Sequence, residues 1–142
     1  MKQLAPQFKA YAIQPAKALT ATASSTGVQV TPGNSPSYDA VIVANIGAVT
    51  GAPSAVSCAL VVEESATSGG TYTTNTAFAT IATVVAASEV SHLPITINPA
   101  KPFVRVTATI SFTGGTSPTI PVAVTLLVKQ NVASDSNESA LS

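Results

Sequence analysis

The sequence predicts an all-β protein, a jelly-roll-like antiparallel β-sandwich with about seven or eight strands, and it leaves a jelly roll and another sandwich topology as alternatives. The first observation is composition, because hydrophobic residues make up 46% of the chain and charged residues only 8%, where about a quarter is typical. The second is the alternation of apolar and polar residues over long segments, which matches the two-residue period of a strand. The third is the regular spacing of turns rich in Gly, Pro and Ser between these segments.

The chain of 142 residues fits a single domain, since domains commonly contain about 100–200 residues. Residues 1–17 include Pro6 and Pro15 and show no helical pattern, so they are predicted to form an extended N-terminal arm. The β-sandwich domain is predicted over residues 18–131. Residues 132–142 are polar and without periodicity, which predicts a flexible C-terminal tail.

The first half of the domain contains strand patterns separated by turns. Short strands are predicted near residues 19–23 and 28–30, followed by a turn cluster at 31–37. Residues 38–46 are apolar on both faces, which predicts a strand covered on both sides, and another subunit can supply the second cover. The next alternating strand, residues 56–62, leads into two glutamates. Glu63 and Glu64 are expected to point to opposite faces at the solvated end of this strand.

The second half contains the clearest alternation in the chain. Residues 77–90 fit both a helix and an extended segment, and their Thr and Val content favours the extended one. The strand at 93–97 is predicted at a sheet edge, because Pro94 cannot donate a hydrogen bond to a neighbouring strand. The longest rows, 103–112 and 120–128, are joined by a Gly-rich turn. We expect these two strands to pair with each other as an antiparallel hairpin.

Charge and cysteine content exclude several kinds of partner and site. The formal net charge is zero and only six residues are Lys or Arg, which is too few for the clustered phosphate contacts of nucleic-acid binding or for an anionic membrane surface. A single cysteine, Cys58, excludes an intramolecular disulfide and a four-cysteine zinc site. No signal-peptide pattern and no run of about 20 apolar residues occurs, so we expect the chain to fold in a cytoplasm.

No pattern predicts a catalytic residue, a metal site or a cofactor. The single histidine, His92, has only Glu89 as a nearby acid in the sequence, and it is expected to be an exposed loop residue. Cys58 lies in an inward-facing row and is expected to be a small buried hydrophobe. The glycine pairs at 69–70 and 114–115 lack the elements that follow a phosphate-binding loop, so they are expected to form turns.

Three segments together resemble small β-rich structural proteins of tailed-phage virions. They are residues 26–51, residues 57–74 with a Glu-Glu-Ser strand end before a Gly-containing loop, and residues 101–127 with a Phe-Val-Arg-Val strand. The resemblance implies a virion protein made in the host cytoplasm. It implies binding to major capsid subunits as a decoration (cement) protein, with self-association as a homotrimer. A neck, tail-tube or fibre-base component is an alternative, and a carbohydrate-binding sandwich is a third reading from another class.

The candidate interface residues are Phe8, Tyr11, Ile13 and Arg105. The first three are apolar residues of the predicted arm that would anchor it on a neighbouring subunit, and a disordered leader is the competing interpretation. Arg105, the only arginine, lies on the polar face of the 103–112 strand. A contact with another subunit and a cross-strand contact within the chain are equally supported for this residue.

Overall fold

The computed structural model describes residues 7–30, 38–81 and 89–130. These residues form nine β-strands and contain no helix, which confirms the predicted all-β class. The strands are β1 (Gln7–Leu19), β2 (Ala23–Ser24), β3 (Val28–Gln29), β4 (Tyr38–Ile46), β5 (Ala55–Ser65), β6 (Thr73–Ile81), β7 (Glu89–Ile97), β8 (Phe103–Thr113) and β9 (Ile120–Gln130).

The strands form two antiparallel sheets with jelly-roll order. Sheet A has the order β1-β9-β4-β7, and sheet B has the order β2-β8-β5-β6, with β3 also pairing with β8. Both β2 and β3 lie along β8, so they act as one interrupted strand. Successive strands then alternate between the two sheets, and the exception is the β5–β6 hairpin within sheet B. This alternation is the eight-stranded pattern of a jelly roll. The predicted antiparallel β-sandwich is confirmed.

The core lies between the two sheets and is built from the inward-facing rows of the alternating strands. On sheet B, β5 contributes buried residues at every second position from Val56 to Val62, and β8 does so from Val104 to Ile110. On sheet A, the rows begin at Ala40 on β4 and at Ile120 on β9. The predicted alternation is therefore confirmed strand by strand, because a two-residue period places one face of each strand against the opposite sheet.

The predicted hairpin between residues 103–112 and 120–128 is wrong. Strand β8 pairs with β5 in sheet B, whereas β9 pairs with β1 and β4 in sheet A. The turn between them crosses from one sheet to the other, so the two apolar rows face each other across the core. Alternation alone cannot separate these cases, because neighbours in one sheet and partners across a core have the same pattern.

Residues 7–17 of the predicted arm belong to the sandwich. They form most of β1, which pairs with β9 from Gln7 opposite Gln130 to Leu19 opposite Ile120. Pro15 excludes a helix but is tolerated on an edge strand, and the register shifts between Ala12 and Lys17 accommodate it. Residues 1–6 lie outside the described residues, as do the predicted turn at 31–37 and the predicted tail at 132–142.

The remaining strand predictions have mixed outcomes. The segment 93–97 is part of β7, which pairs only with β4 among the described strands, so its edge position is confirmed. The favoured extended structure of 77–90 is confirmed for residues 77–81 and 89–90, while 82–88 lie outside the described residues. The short strand predicted near 19–23 is divided, since β1 ends at Leu19 and β2 begins at Ala23.

Candidate functional site

The two outer faces of the sandwich differ in chemistry, and the outer face of sheet A is the candidate site. Its outward-facing residues are mostly apolar. The sheet A outer face consists of Phe8, Ala10 and Ala12 on β1, Ala123, Thr125, Leu127 and Lys129 on β9, Asp39, Val41, Val43 and Asn45 on β4, and Val90, His92, Pro94 and Thr96 on β7. All of them are exposed or half-buried. Two large apolar side chains are strongly exposed, with Phe8 at 52% and Val90 at 64%.

Strand register aligns these residues in rows across the sheet. One row runs from Ala10 through Leu127 and Val41 to Pro94. The next row runs from Ala12 through Thr125 and Val43 to His92. The centre of the face therefore combines small and branched apolar side chains that the described residues leave half-buried or exposed. A contiguous apolar patch on the outside of a sheet is typical of a protein interaction surface.

The two charged side chains of the sheet A outer face lie at one end. Asp39 precedes Ala40, whose partner on β9 is Val128, so Asp39 lies opposite Lys129. Both line an open hollow of about 350 Å³ together with Phe8 and Pro94. Among the described residues the structure contains one ion pair, and it involves neither Asp39 nor Lys129. Both charges are therefore left without an ion pair within the described ranges.

The outer face of sheet B is polar and its charged groups satisfy one another. Arg105 Nε donates to Glu63 Oε2 at 2.7 Å, and Thr107 Oγ1 donates to the same oxygen at 2.8 Å. Because Thr107 gives its only proton to Glu63, Ser24 donates to Thr107 across 2.7 Å. The guanidinium of Arg105 also stacks on the ring of Tyr72, 4.1 Å from its centroid. This cluster is an internally satisfied network.

Tyr72 is held in place by its surroundings. Its hydroxyl donates to the carbonyl of Ser68 at 3.2 Å. A Cβ at Gly27 would overlap that hydroxyl, so the ring packs tightly against the loop between β2 and β3. With Arg105 on one face and Gly27 at its edge, Tyr72 serves packing within sheet B.

The structure separates the four candidate interface residues. Ile13 and Tyr11 lie in the protein's own core, with 1% and 9% exposure, and Lys9 Nζ lies 5.0 Å from the Tyr11 ring centroid. They pack inward because β1 is a strand of sheet A, so they are not offered to a neighbour. Phe8 is exposed at the charged end of the sheet A outer face. Arg105 makes the cross-strand contact with Glu63, one of the two alternatives for this residue.

The glutamates at the end of β5 correct a further expectation. They do point to opposite faces, with Glu63 in the sheet B network and Glu64 directed inward. Neither is well solvated, since Glu64 is 8% exposed and the Glu63 side chain 18%. Asn75 donates from Nδ2 to Glu64 Oε2 at 3.1 Å and to the carbonyl of Thr96 at 3.0 Å. Strand β5 extends three residues beyond its apolar row, to Ser65, so both glutamates lie within the paired strand and not at a solvated end.

The two isolated reactive residues have different environments. Cys58 is fully buried in the core, as predicted, and burial raises the pKa of its thiol from 9.0 to about 11. His92 is exposed, as predicted, but it lies in strand β7 and not in a loop.

Within the described ranges, no three His, Cys, Asp or Glu side chains are grouped so that they could hold a metal ion. No helix in those ranges is long and apolar enough to cross a membrane.

Sequence reasoning missed most of the sheet A outer face. The doubly apolar pattern of 38–46 indicated that Val41 and Val43 need a cover. It did not indicate that Leu127 of β9 lies beside Val41 or that Ala10 of β1 lies next to Leu127, because those contacts depend on the strand order. The predicted arm placed three of the four candidate interface residues within residues 1–17, whereas the candidate surface spans four strands.

Comparison with known proteins gives a likeness in fold. No protein-family model and no curated protein matches the chain. A solved structure that resembles it contains the CBM22-1 and GH10 modules of endo-1,4-beta-D-xylanase 10B from Clostridium thermocellum, complexed with xylohexaose. The TM-score is 0.51 with 13% identity, over 78% of this chain and 20% of that chain. The chain thus spans about a fifth of the length of that protein.

Two further solved structures match at lower similarity. One is the C-terminal domain of EclA, a sugar-binding protein, with a TM-score of 0.41 and 12% identity over 87% of this chain and 81% of that chain. The other is the N-terminal cellulose-binding domain of β-1,4-glucanase C from Cellulomonas fimi. It has a TM-score of 0.37 and 14% identity over 88% of this chain and 79% of that chain.

Proposed function

We propose that this protein is a structural subunit of a tailed-phage particle, a capsid decoration protein that binds major capsid subunits and performs no catalysis. The observation that carries the proposal is the apolar sheet A outer face, whose central residues Val41, Val43 and Leu127 are left half-buried by the described part of the chain. Burying such a surface against protein is favourable because apolar area leaves water. The resemblance of residues 26–51, 57–74 and 101–127 to virion proteins supplies the setting.

The mechanism is interfacial. A face of this kind binds by shape and apolar contact, with the Asp39 and Lys129 charges at one end setting orientation. Many copies bound to a repeating lattice add avidity, so each contact can be individually weak. Only 8% of the residues are charged, so few charges must be desolvated at each contact when the protein is bound in an assembly.

The proposal is tested by locating the chain in particles and by altering the face. Val41→Lys is expected to reduce attachment to particles at least about tenfold, because it places an ammonium group in the apolar contact. Thr109→Lys is the matched control on the exposed outer face of sheet B and is expected to attach normally. Cryo-electron microscopy of particles should show copies distributed over the head.

Three results would decide against parts of this proposal. Copies confined to a ring or tube would assign the protein to the neck or tail. Particles without the chain would refute a virion role. Equal attachment of the Val41 and Thr109 variants would show that another surface makes the contact.

A second candidate function is carbohydrate binding, which the likeness in fold to sugar-binding modules favours. The polar outer face of sheet B would then supply the hydrogen bonds and Tyr72 the ring. The structure favours this candidate less, because Arg105 covers one face of Tyr72 and the chain has no Trp. A glycan array distinguishes the two: a bound sugar whose signal disappears in Tyr72→Ala would establish binding, and an array without signal would dismiss it.

A further inference from the structure

We propose that two copies of this chain pack face to face through their sheet A outer faces, about a twofold axis parallel to strands β4 and β9. Lys129 of each copy then lies over Asp39 of the other. The inference rests on the proposed function in one respect, since it uses the same face for protein contact. It names a second copy of this chain as the occupant of that face in solution, where capsid subunits are absent.

The position of the charges selects the orientation. Strands β9 and β4 are the two central strands of sheet A, and their charged residues lie side by side at one end. A half-turn about an axis parallel to the strands exchanges β9 with β4 and keeps that end in place. Each Lys129 therefore meets an Asp39 from the other copy, which gives two ion pairs related by symmetry. A twofold contact of this kind uses the same patch on both subunits.

The same rotation brings the apolar rows together. Leu127 of one copy lies over Val41 of the other, and Thr125 lies over Val43. At the sides, Ala10 lies over Pro94. Stacked sheets usually lie about 30° apart, so these matches hold best near the centre, where the largest branched side chains are.

The other in-plane axis gives a worse match. A half-turn about an axis perpendicular to the strands would place the charged end over the end that carries Ala123 and Asn45. Asp39 and Lys129 would then lose water without gaining an opposite charge, which is costly at an interface. The charge pattern therefore fits a second copy in one orientation.

The size of the face sets the expected strength of the contact. Four strands and the seven residues from Asp39 to Asn45 give a flat area of roughly 450 Å², at ~4.8 Å between strands and ~3.4 Å per residue. A partner in a standard interface contributes about 800 Å². An isolated pair is therefore expected to dissociate at micromolar concentrations.

The experiment is sedimentation velocity on the full chain from about 1 to 500 µM, a range that brackets micromolar dissociation. The wild type is expected to change from monomer to dimer across this range. Lys129→Asp and Asp39→Lys each place like charges at both contacts. Each variant alone is therefore expected to dimerise at least about tenfold more weakly than the wild type. An equimolar mixture of the two variants restores both attractions and is expected to form a heterodimer with wild-type strength.

Two controls separate the contact from folding. The double variant Asp39→Lys with Lys129→Asp keeps a cross-strand pair of opposite charges and is expected to dimerise as the wild type does. Thr109→Lys on sheet B is expected to leave dimerisation unchanged. Thermal unfolding of each single variant confirms that it is folded before its association is interpreted.

The inference is overturned if the wild type stays monomeric at the highest concentration, forms a trimer, or forms a dimer that the charge reversals do not weaken. A mixture that fails to restore association would also overturn it. Particle attachment is measured separately. A wild-type chain that binds particles but stays monomeric in solution would refute only this inference, and a dimer that is absent from particles would refute only the proposed function.

Discussion

At the residue scale, the surroundings of a side chain decide its chemistry more than its type does. Cys58 is a thiol whose reactivity burial suppresses, and Arg105 is a cation whose charge Glu63 compensates within the same sheet. The sequence placed Cys58 correctly, because a small side chain between Val56 and Leu60 in an alternating row points inward. For Arg105 the sequence predicted two alternative contacts, because a side chain on the outer face of a strand can contact either a neighbouring strand or another subunit.

Burial of Cys58 predicts a loss of stability at high pH. Its folded pKa of about 11 lies above that of an unfolded thiol, about 8.5 to 9. Its contribution to the free energy of unfolding is thus complete below about pH 9 and decreases as pH rises toward 11, since the unfolded chain loses the proton first. We expect a decrease of roughly 2 kcal/mol over that interval by urea unfolding, and no such component in Cys58→Ala. Parallel pH profiles for both proteins would contradict the assignment.

The Arg105–Glu63 pair is expected to stabilise the sheet. Its side chains are 28% and 18% exposed, and Thr107 and Tyr72 hold the two groups in place. A double-mutant cycle with Arg105→Ala and Glu63→Ala should give a coupling of about 1–2 kcal/mol, above that of fully exposed pairs. The measurement is chemical unfolding of the four proteins. A coupling that disappears in about 1 M salt would mean that the pair behaves as a solvent-exposed one.

At the element scale, the β4–β5 and β8–β9 loops, which both cross between the sheets, are hydrogen-bonded to each other. The loop from β4 to β5 and the loop from β8 to β9 lie together, since Thr116 N donates to the carbonyl of Gly51 at 2.8 Å and Thr50 bridges Thr119. The close approach depends on glycine. Gly115 has φ +85°, and a Cβ there would lie 2.6 Å from the carbonyl oxygen of Gly51.

A methyl group at Gly115 should therefore destabilise the crossover. Gly115→Ala is expected to lower the free energy of unfolding by about 2 kcal/mol or more, from the left-handed backbone conformation and the overlap with Gly51. Gly69→Ala is the matched control, because nothing lies within 4 Å of its Cβ position, and its effect should stay within about 0.5 kcal/mol. Similar unfolding midpoints for the two variants would refute the steric argument.

Strand β1 provides a test of its place in the sandwich. Ile13 is 1% exposed and Phe8 is 52% exposed on the same strand. Ile13→Ala is expected to lower the free energy of unfolding by about 3 kcal/mol, since it removes buried apolar volume. Phe8→Ala should change it by less than about 0.5 kcal/mol. If both substitutions are neutral in thermal and chemical unfolding, residues 7–19 do not pack on the core.

At the scale of the whole molecule, the sandwich has two unequal outer faces. Sheet B carries a polar network whose members satisfy one another. Sheet A carries an apolar surface and, at one end, two charges that form no ion pair with another described residue. A chain with zero formal net charge has little electrostatic repulsion to keep such surfaces apart. Association through sheet A is therefore the expected behaviour of the molecule in solution.

The unequal faces predict unequal effects of the same added charge on solubility. Val41→Lys and Thr109→Lys each add one positive charge, but only the first interrupts the apolar surface. We expect Val41→Lys to raise solubility in polyethylene glycol precipitation clearly more than Thr109→Lys does. Equal gains would show that net charge, and not the sheet A outer face, limits solubility.

The sequence alone determined the fold class, the inward rows of the long strands and the edge position of β7. These follow from local rules, since a strand alternates its side chains and Pro94 lacks a donor. Only the tertiary structure decided that β8 and β9 lie in different sheets and that β1 completes sheet A. It also decided that Val41, Leu127 and Asp39 share one surface with Lys129. The reason is that strand order and crossover direction depend on contacts between residues far apart in the chain, and a periodic pattern contains no information about which rows become neighbours.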